Sequence, residues 1–477
     1  MNFRHLITKN ISYYKSFYRL IAIAVIVAIA VIVGSLVVGN SVRNTLVKRV
    51  SERLGNTETI VFSRYSYLDD NILETLVRTC SPCQNRGILM LNGFVSVSGS
   101  LTPVTVWGID DLNIEKGRAK INLALFNEIV KTGHAPSLSQ HIVLRLPSAG
   151  MVPLGSMFVT NAYTTSLRLE LNDIISTKNG GNFNLKNEQI IPFNIFVNRE
   201  ELAEIMGVSR KINVILSEQI ISKNEFAFAW NYRLSGLNIN RYCGLDPQSS
   251  NNGFRVKHGM TTVTSDRIFI QNEVVETLCN GDISANRIYT YLANSINQKT
   301  KIKNQKSPTI PYSFITAVDF YNGQKLNPDE IILSDYAAKR LNAKVGDEIS
   351  ITFFVSKQFK TLIEDTVFLR VGKIVPIADL QKNQSLKADF PGLSNVEKCT
   401  DWNSDLPINM NLISNEDEDF WKKYKNTPKA IVPYETLAPR WKNAFGSATA
   451  LHISDTNRLK NLTPEMFDIQ IIYPRET

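Results

Sequence analysis

The sequence predicts an α+β protein in which one N-terminal transmembrane helix and a stalk precede a large body of mixed sheets and short helices, arranged as two related lobes. Three observations predict this fold class. One long apolar run lies near the N-terminus, short β-branched and aromatic runs alternate with helical stretches over the rest of the 477 residues, and several of these segments recur about 200 residues later. The composition, 43% apolar and 20% charged, excludes wholesale disorder, and the length suits two or more domains.

The apolar run lies between Arg19 and Arg43, which bracket 23 residues without a charged side chain. About 20 such residues cross a hydrocarbon core ~30 Å thick as an α-helix, so a retained membrane anchor is predicted. A cleaved signal peptide is the alternative, but its apolar region usually spans about 7 to 15 residues before a small-x-small site. Four basic residues lie on each side of the run, so charge alone leaves its orientation open.

The segment before the anchor, from Asn2 to Tyr18, has apolar residues at helical spacing with Arg4, Lys9 and Lys15 off that stripe. This pattern is typical of an amphipathic helix on a membrane surface. A helical extension of the anchor is the alternative.

The formal net charge of +9 is concentrated at the N-terminus, where the first 53 residues hold eight basic side chains and one acid. The rest of the chain is close to neutral. A nucleic-acid surface needs clustered cations that displace counterions from phosphates, and the body has no such excess. The sequence therefore predicts the lipid bilayer as a partner and no nucleic acid.

Strands and helices of the body follow from short runs bounded by turn residues. The predicted strands are Gly93 to Val97, Val104 to Ile109, Ile190 to Val197, Ile212 to Leu216, Phe314 to Val318, Glu348 to Val355 and Thr366 to Val375. The predicted helices are Asp70 to Arg78, Arg199 to Met206, Asn272 to Leu278 and Asp335 to Asn342.

Self-similarity at a nearly constant offset predicts a duplication rather than chance likeness. The segments 66–77, 107–110, 126–130 and 142–146 align with 268–279, 316–319, 333–337 and 349–353, at offsets of 202, 209, 207 and 207. Residues 195–202 then align with 430–437 at an offset of 235, so an insertion of about thirty residues is predicted in the second copy.

The insertion, about residues 378–428, has a capping box at Ser414 and Asp417 before a short helix, with acids in its first turn and lysines near its end. Three aromatic residues there are candidates for docking a partner, with core packing as the alternative: Trp402, Phe420 and Trp421. A cation site built from Asp401, Asp405 and the acidic run 416–419 is a further hypothesis.

Sequence signatures of catalysis are missing. The chain has no phosphate-binding G-x-x-x-x-G-K-[ST], G-x-S-x-G, H-E-x-x-H or G-x-G-x-x-G, and its five histidines are scattered. Cys80 and Cys83 have redox-motif spacing without a thioredoxin-like context, which favours a local disulfide or two buried thiols over a redox site. With Cys243, Cys279 and Cys399 the total is odd, so at least one thiol is free or pairs between chains. We expect no enzyme activity, no metal and no cofactor in this chain.

Several blocks resemble one family in combination. Asn10-Ile-Ser-Tyr-Tyr14 before the anchor, Gly39-Asn-Ser-Val-Arg43 after it, Pro192-Phe-Asn-Ile-Phe-Val197, Lys344-Val-Gly-Asp-Glu348 and Thr427-Pro-Lys-Ala430 are similar to large FtsX-like permeases of the ABC transporter class, which carry MacB-like periplasmic domains. Two departures are Asn40, where the family usually has Asp, and the first copy's lack of the turn at Val345-Gly-Asp347.

The resemblance implies a mechanotransmitter. A separate cytoplasmic ABC ATPase binds ATP and moves the first membrane helix and stalk, which reshape an extracytoplasmic domain that exports or extracts a substrate. It also implies a second permease subunit or a homodimer as partner, the bacterial inner membrane as location, and a periplasmic body. Family members need further membrane helices after this domain, so the chain resembles the N-terminal portion of a permease, cut or encoded short.

The chain is predicted to divide into seven consecutive segments. They are a cytoplasmic amphipathic helix at 1–19, the transmembrane helix at 20–42, a stalk helix at 43–57, lobe 1 at 58–222, a linker at 223–264, lobe 2 at 265–460 with its insertion, and a return strand at 461–477. In the stalk, Leu46, Val50 and Leu54 form a stripe at i, i+4 and i+8, expected to contact a partner subunit or the first sheet. The alternative function is a signal-anchored extracytoplasmic binding protein or hydrolase that works without an ATPase.

Overall fold

A computed structural model describes residues 3–63, 65–79, 84–97, 100–110, 112–131, 141–147, 164–185, 191–241, 260–299, 307–357, 361–390, 392–394, 396–402 and 406–474. The predicted fold class is confirmed: an apolar N-terminal helix leads into two lobes built on mixed sheets with short helices. Cys80, Cys83, Cys243, His134, His258 and Asp405 lie outside the described residues.

The N-terminal helices are α1 (Phe3–Tyr13) and α2 (Lys15–Leu54). Within α2, Lys15–Lys48 is the one helix of the described chain that is long and apolar enough to cross a membrane. Hydrogen bonds of helical spacing continue over Tyr14, whose N–H donates to Asn10 O at 3.0 Å, and Tyr18 N–H donates to Tyr14 O at 3.0 Å. This continuity favours α1 as an extension of α2, the alternative left open by the sequence.

The first lobe spans 59–241. Its elements are β1 (Thr59–Ser63), β2 (Leu68–Asp69), α3 (Asn71–Thr79), β3 (Asn85–Val97), β4 (Ser100–Ile109), β5 (Arg118–Asn122), α4 (Leu123–Lys131), β6 (His141–Pro147), β7 (Thr164–Ile175), β8 (Asn194–Asn198), α5 (Arg199–Ile205), β9 (Lys211–Ile212), β10 (Val214–Ser217), α6 (Lys223–Ala229) and β11 (Leu237–Arg241).

The second lobe spans 261–472. Its elements are β12 (Thr261–Ser265), α7 (Asn272–Cys279), β13 (Asn286–Gln298), β14 (Thr309–Val318), β15 (Phe320–Tyr321), β16 (Gln324–Lys325), β17 (Glu330–Ser334), α8 (Asp335–Leu341), β18 (Glu348–Lys357), β19 (Thr361–Val375), α9 (Ile377–Lys382), α10 (Asn415–Tyr424), β20 (Ala430–Pro433), α11 (Tyr434–Trp441), β21 (Ala450–Ile453) and β22 (Ile469–Ile472).

The two lobes repeat one topology. The first sheet has the order β22-β1-β10-β3-β4-β8-β5-β7-β6 and the second the order β11-β12-β21-β13-β14-β20-β17-β19-β18. Both contain parallel pairs at equivalent places, β4 with β8 and β5 with β7, then β14 with β20 and β17 with β19. Even a register irregularity recurs, between Ala119 and Lys120 and between Ile331 and Ile332. The predicted duplication is therefore a property of the fold.

Each lobe contains a closed barrel. The long strand β3 pairs with β10 near its start and with β6 near its end, so that β3-β4-β8-β5-β7-β6 form a ring of six strands. In the second lobe β13 does the same with β21 and β18. Each barrel has its own apolar core, which is aliphatic in the first lobe and rich in aromatic residues in the second.

The lobes exchange their last strands. β11 ends the first copy but pairs with β12, the first strand of the second copy. β22 ends the second copy but pairs with β1, the first strand of the first copy. Val61, Ile215, Val263 and Leu451 from the two strand extensions share one apolar cluster with α3 and α7. The lobes are joined by both strand pairing and a common core.

Two sequence predictions are wrong in detail. The predicted linker 223–264 contains α6, β11 and all but the last residue of β12 among its described residues. The segment ending in β11 is the first copy's counterpart of the segment ending in β22. The alignment of Phe126–Val130 with Leu333–Ala337 is also out of step: α4 begins at Leu123 and α8 at Asp335, an offset of 212 rather than 207. Both predictions rested on local sequence similarity, which does not show the order of the strands in a sheet.

Candidate coupling site at the end of helix α2

The end of α2 is fixed to the first sheet. The helix closes on Gly55, whose φ of +59° suits the left-handed position that ends many helices, and Thr57 N–H donates to Leu54 O at 3.2 Å. Leu54 is 4% exposed and packs in a cluster with Ile60, Ile88 and Trp107. The last residue of the helix is thus part of the body's core, and β1 begins only five residues later.

The three stalk candidates lie in different surroundings. Leu54 is buried against the first sheet, as one branch of the sequence hypothesis expected. Leu46, two turns earlier, is 51% exposed. The side chain of Val50 lies outside the described residues. The stripe therefore divides into a buried end at Leu54 and an open part at Leu46.

A buried tryptophan forms the base of this junction. Trp107 donates from Nε1 to Asn194 Oδ1 at 3.1 Å, and its ring meets Phe183 edge to face with centroids 4.9 Å apart. Asn194 in turn donates from Nδ2 to the carbonyl oxygens of Gly181 and Phe183, at 2.9 and 2.8 Å. These bonds hold the turn after β7 over the sheet, beside the end of α2.

Asn194 lies in the block Pro192–Val197 that resembles the permease family, and its structural role was not predicted. The sequence does contain one indication of this role: Asn194 is an amide within the apolar strand run Phe193-Asn-Ile-Phe-Val197. A buried amide needs hydrogen-bond partners, so such a residue is expected to bond to neighbouring segments. The same holds for Asn122, whose Oδ1 accepts from the N–H groups of Leu125 and Asn194, at 3.1 and 3.2 Å.

The C-terminal strand returns to the same place. β22 runs antiparallel to β1, with Ile472 opposite Ile60, so its chain direction leads back toward the end of α2. Tyr473 then donates its hydroxyl to Ile221 O at 2.9 Å. Within the predicted return strand 461–477, Ile469–Ile472 is the one strand among the described residues, and Pro464–Phe467 is a 3₁₀ helix. β22 brings the second copy's end beside the first helix.

The three partner-docking candidates are buried, so that prediction is wrong. Trp402 and Trp421 are 8% and 3% exposed and meet edge to face at 5.0 Å, while Phe420 is 5% exposed and packs on Tyr336 and Tyr424. The sequence showed aromatic residues near charges, which suggested a surface. The helix α10 turns its aromatic face inward instead, which was the alternative of core packing.

Two acids of the run 416–419 form hydrogen bonds and an ion pair within the protein. Asp417 accepts from Ser414 N–H at 3.0 Å and from its hydroxyl at 2.7 Å, as the capping box predicted, and also approaches Arg340 Nη1 at 2.9 Å. Glu418 accepts from the N–H groups of Cys399 and Thr400, both at 3.0 Å. No group of three metal-ligating side chains occurs among the described residues. These contacts give Asp417 and Glu418, two acids of the run 416–419, partners within the protein.

A buried contact between Ser385 and His452 was not predicted from the sequence. His452 Nε2 lies 2.9 Å from Ser385 Oγ, and burial lowers the pKa of His452 to about 4. Both residues are buried, and Ser385 also donates to Asn383 Oδ1 at 2.6 Å. The pair fastens the insertion to β21.

The described cysteines are also structural in character. Cys279 and Cys399 are free thiols, and burial raises the pKa of each to about 12, so neither is a ready nucleophile.

No family model matches the chain, and no curated protein matches it. Three solved structures are similar to part of it. The extracellular domain of the noncanonic ABC-type transporter YknZ from Gram-positive bacteria is 12% identical, with a TM-score of 0.23 over 37% of this chain and 92% of that one. The periplasmic region of MacB from Actinobacillus actinomycetemcomitans is 9% identical, with a TM-score of 0.24 over 39% and 86%.

The third structure is a domain of a protein described as a permease from Porphyromonas gingivalis, 8% identical, with a TM-score of 0.22 over 38% of this chain and 81% of that one.

Proposed function

We propose that the chain belongs to a permease subunit of an ABC transporter, in which ATP hydrolysis by a separate cytoplasmic ATPase moves the two-lobed body through α2. The body lies outside the cytoplasm, on the periplasmic side of a bacterial inner membrane. The chain itself holds no ATP. A second permease subunit or a second copy completes the pair.

The observation that carries the proposal is the unbroken helix from the apolar segment into the body. Forty residues of α2 span about 60 Å at 1.5 Å per residue, without a loop between the membrane-length stretch and Leu54. A continuous helix transmits a displacement, whereas a flexible linker would absorb it. Because Leu54 is packed in the core, a shift of the helix must move β1 and the sheet behind it.

The position of β22 supports the same proposal. A permease that continues into further membrane helices needs its body to return beside the first helix, and β22 runs in that direction along β1. An autonomous anchored enzyme or binding protein has no such requirement.

The test uses the full-length permease in nanodiscs with its ABC ATPase. We expect the two to co-purify and the ATPase rate to rise on assembly. Leu46→Asp combined with Val50→Asp should abolish that rise, because charges on the stripe disrupt its contact with the partner. Asn44→Asp, on the opposite side of the helix, is the matched control and should retain the rise. Failure to bind an ATPase, or normal stimulation in the double variant, would overturn the proposal.

A further inference from the structure

The outer face of the first barrel carries apolar and cationic side chains in two adjacent rows across β4, β3, β6 and β7. Because side chains alternate along a strand, the rows point away from the core that Val95, Leu144 and Leu167 help to form. We name six residues of these rows the outer patch. They are Pro103, Phe94 and Arg145 in the first row, and Leu101, Val143 and Arg168 in the second.

The second barrel has different residues at the equivalent positions of β14, β13, β18 and β19. They are Pro311, Ser295 and Thr352 in the first row, and Thr309, Ser350 and Phe368 in the second. The hydroxyls of Thr352 and Thr366 lie 3.0 Å apart, and Asn297 Nδ2 donates to Ser295 Oγ at 3.0 Å. Since polar residues that bond to one another serve in one copy, the barrel fold does not require the aromatic and cationic residues of the other.

The apolar part of the outer patch is open to solvent. Phe94 is 47% exposed and Leu101 is 52% exposed. Pro103 is also exposed, whereas its counterpart Pro311 is buried. The insertion lies beside Pro311, since Asn409 N–H donates to the hydroxyl of Tyr312 at 2.7 Å. In the second barrel this end of the face is therefore covered by a protein segment.

The charged side chains of the outer patch are both positive. Neither Arg145 nor Arg168 has a side-chain ion pair or hydrogen bond among the described residues. Glu170, the next outward residue after Arg168, lies 3.6 Å from Arg118. Register places the two arginines diagonally on adjacent strands, about 7 Å apart at Cβ. Carboxylates one helical turn apart, about 5 to 6 Å at Cβ, match this spacing.

An anionic membrane is the other surface that arginine and aromatic residues can meet. Recognition of anionic lipids commonly uses clusters of about four to eight Lys or Arg. The outer patch has only Arg145 and Arg168, and they lie on the face of a sheet among apolar residues. This composition favours a protein segment that combines acidic and apolar residues.

We propose that the outer patch docks an acidic amphipathic helix of a partner protein. The helix lays apolar side chains on Phe94, Leu101 and Val143. Two of its carboxylates, one turn apart, pair with Arg145 and Arg168. This docking requires neither an ATPase nor a transport cycle, so it can fail or succeed independently of the proposed function.

The experiment measures the fluorescence anisotropy of a labelled helical peptide added to the full chain in phosphatidylcholine nanodiscs. The peptide is rich in alanine and about 18 residues long, with leucine along one face and glutamate pairs at i and i+4. A matched peptide has lysine in place of glutamate. We expect saturable binding of the glutamate peptide that weakens as salt is added, and at least tenfold weaker binding of the lysine peptide.

Three variants locate the binding. Phe94→Ser introduces the residue type of Ser295 and should weaken binding of the glutamate peptide at least tenfold. Phe368→Ser, at a 59% exposed position of the equivalent rows, is the matched control and should bind as the unaltered chain does. Arg145→Glu combined with Arg168→Glu should reverse the preference and bind the lysine peptide more tightly. Urea unfolding of each variant confirms that it is folded.

Three results would overturn the proposal for a protein helix. They are absence of saturable binding of the glutamate peptide, equal affinity for the two peptides, and equal effects of Phe94→Ser and Phe368→Ser. A fourth is binding of phosphatidylglycerol vesicles, with no binding of the glutamate peptide, that is lost in Phe94→Ser. That result would assign the outer patch to a lipid surface instead.

Discussion

At the scale of single residues, Leu54 separates the part of α2 that belongs to the body from the part that does not. Leu54→Ala should destabilise the first lobe by about 2 to 5 kcal/mol, since it removes buried methyl groups and leaves a cavity. Leu46→Ala should change stability by less than about 0.5 kcal/mol, because Leu46 is exposed. Urea unfolding of the nanodisc-embedded chain measures both. Equal effects of the two substitutions would show that Leu54 is not held by the sheet.

His452 should make the second lobe sensitive to acid. Its folded-state pKa of about 4 lies below the ordinary 6.5, so the unfolded chain binds the proton more readily. Stability from this group is present above pH 6.5 and is lost as the pH falls toward 4, by about 3 kcal/mol at most. His452→Gln should flatten the dependence measured by urea unfolding between pH 7 and pH 4.5. His141→Gln, at an exposed position, should leave it unchanged.

At the scale of elements, one buried carboxylate of α10 faces two cations of the second lobe. Asp417 caps the helix and faces Arg340 at 2.9 Å and the buried Lys429 at 3.8 Å. Desolvation by burial lowers the pKa of Lys429 to about 8, so this cation depends on its partner.

Asp417→Ala should cost about 3 to 5 kcal/mol, because it leaves two cations poorly compensated in the insertion. Glu416→Ala, on the exposed side of the same turn, should cost less than about 0.5 kcal/mol. Thermal unfolding of the two variants makes the comparison. A small loss for Asp417→Ala would mean that water replaces the carboxylate.

Most elements were predictable because their patterns are local. The helix around 199–206 and the strand around 348–355 follow from periodicity and turn residues alone, and the observed bounds are close. The burial of Phe420 and Trp421 was not predictable in this way. It depends on which face α10 turns to Tyr336 and Trp402, residues distant in sequence.

At the scale of the whole molecule, the exchanged strands should make the lobes unfold together. Removal of 469–477 deletes β22 and exposes the edge of β1, so hydrogen exchange at Thr59–Ser63 should rise at least tenfold. Removal of 475–477 alone leaves β22 in place and is the control. Mass spectrometry of exchanged peptides measures the effect. Unchanged protection of β1 would show that α2 and β10 hold the strand without β22.

The exchange of β11 and β22 also bears on how such a molecule could arise. A half-chain ending at β11 would lack the strand that borders its own β1, and would offer β11 to another molecule. Two identical half-chains could satisfy each other only as a twofold homodimer with swapped ends. The present chain has that arrangement within one polypeptide. Fusion of the two subunits would have freed one copy to gain an insertion without the same change in the other.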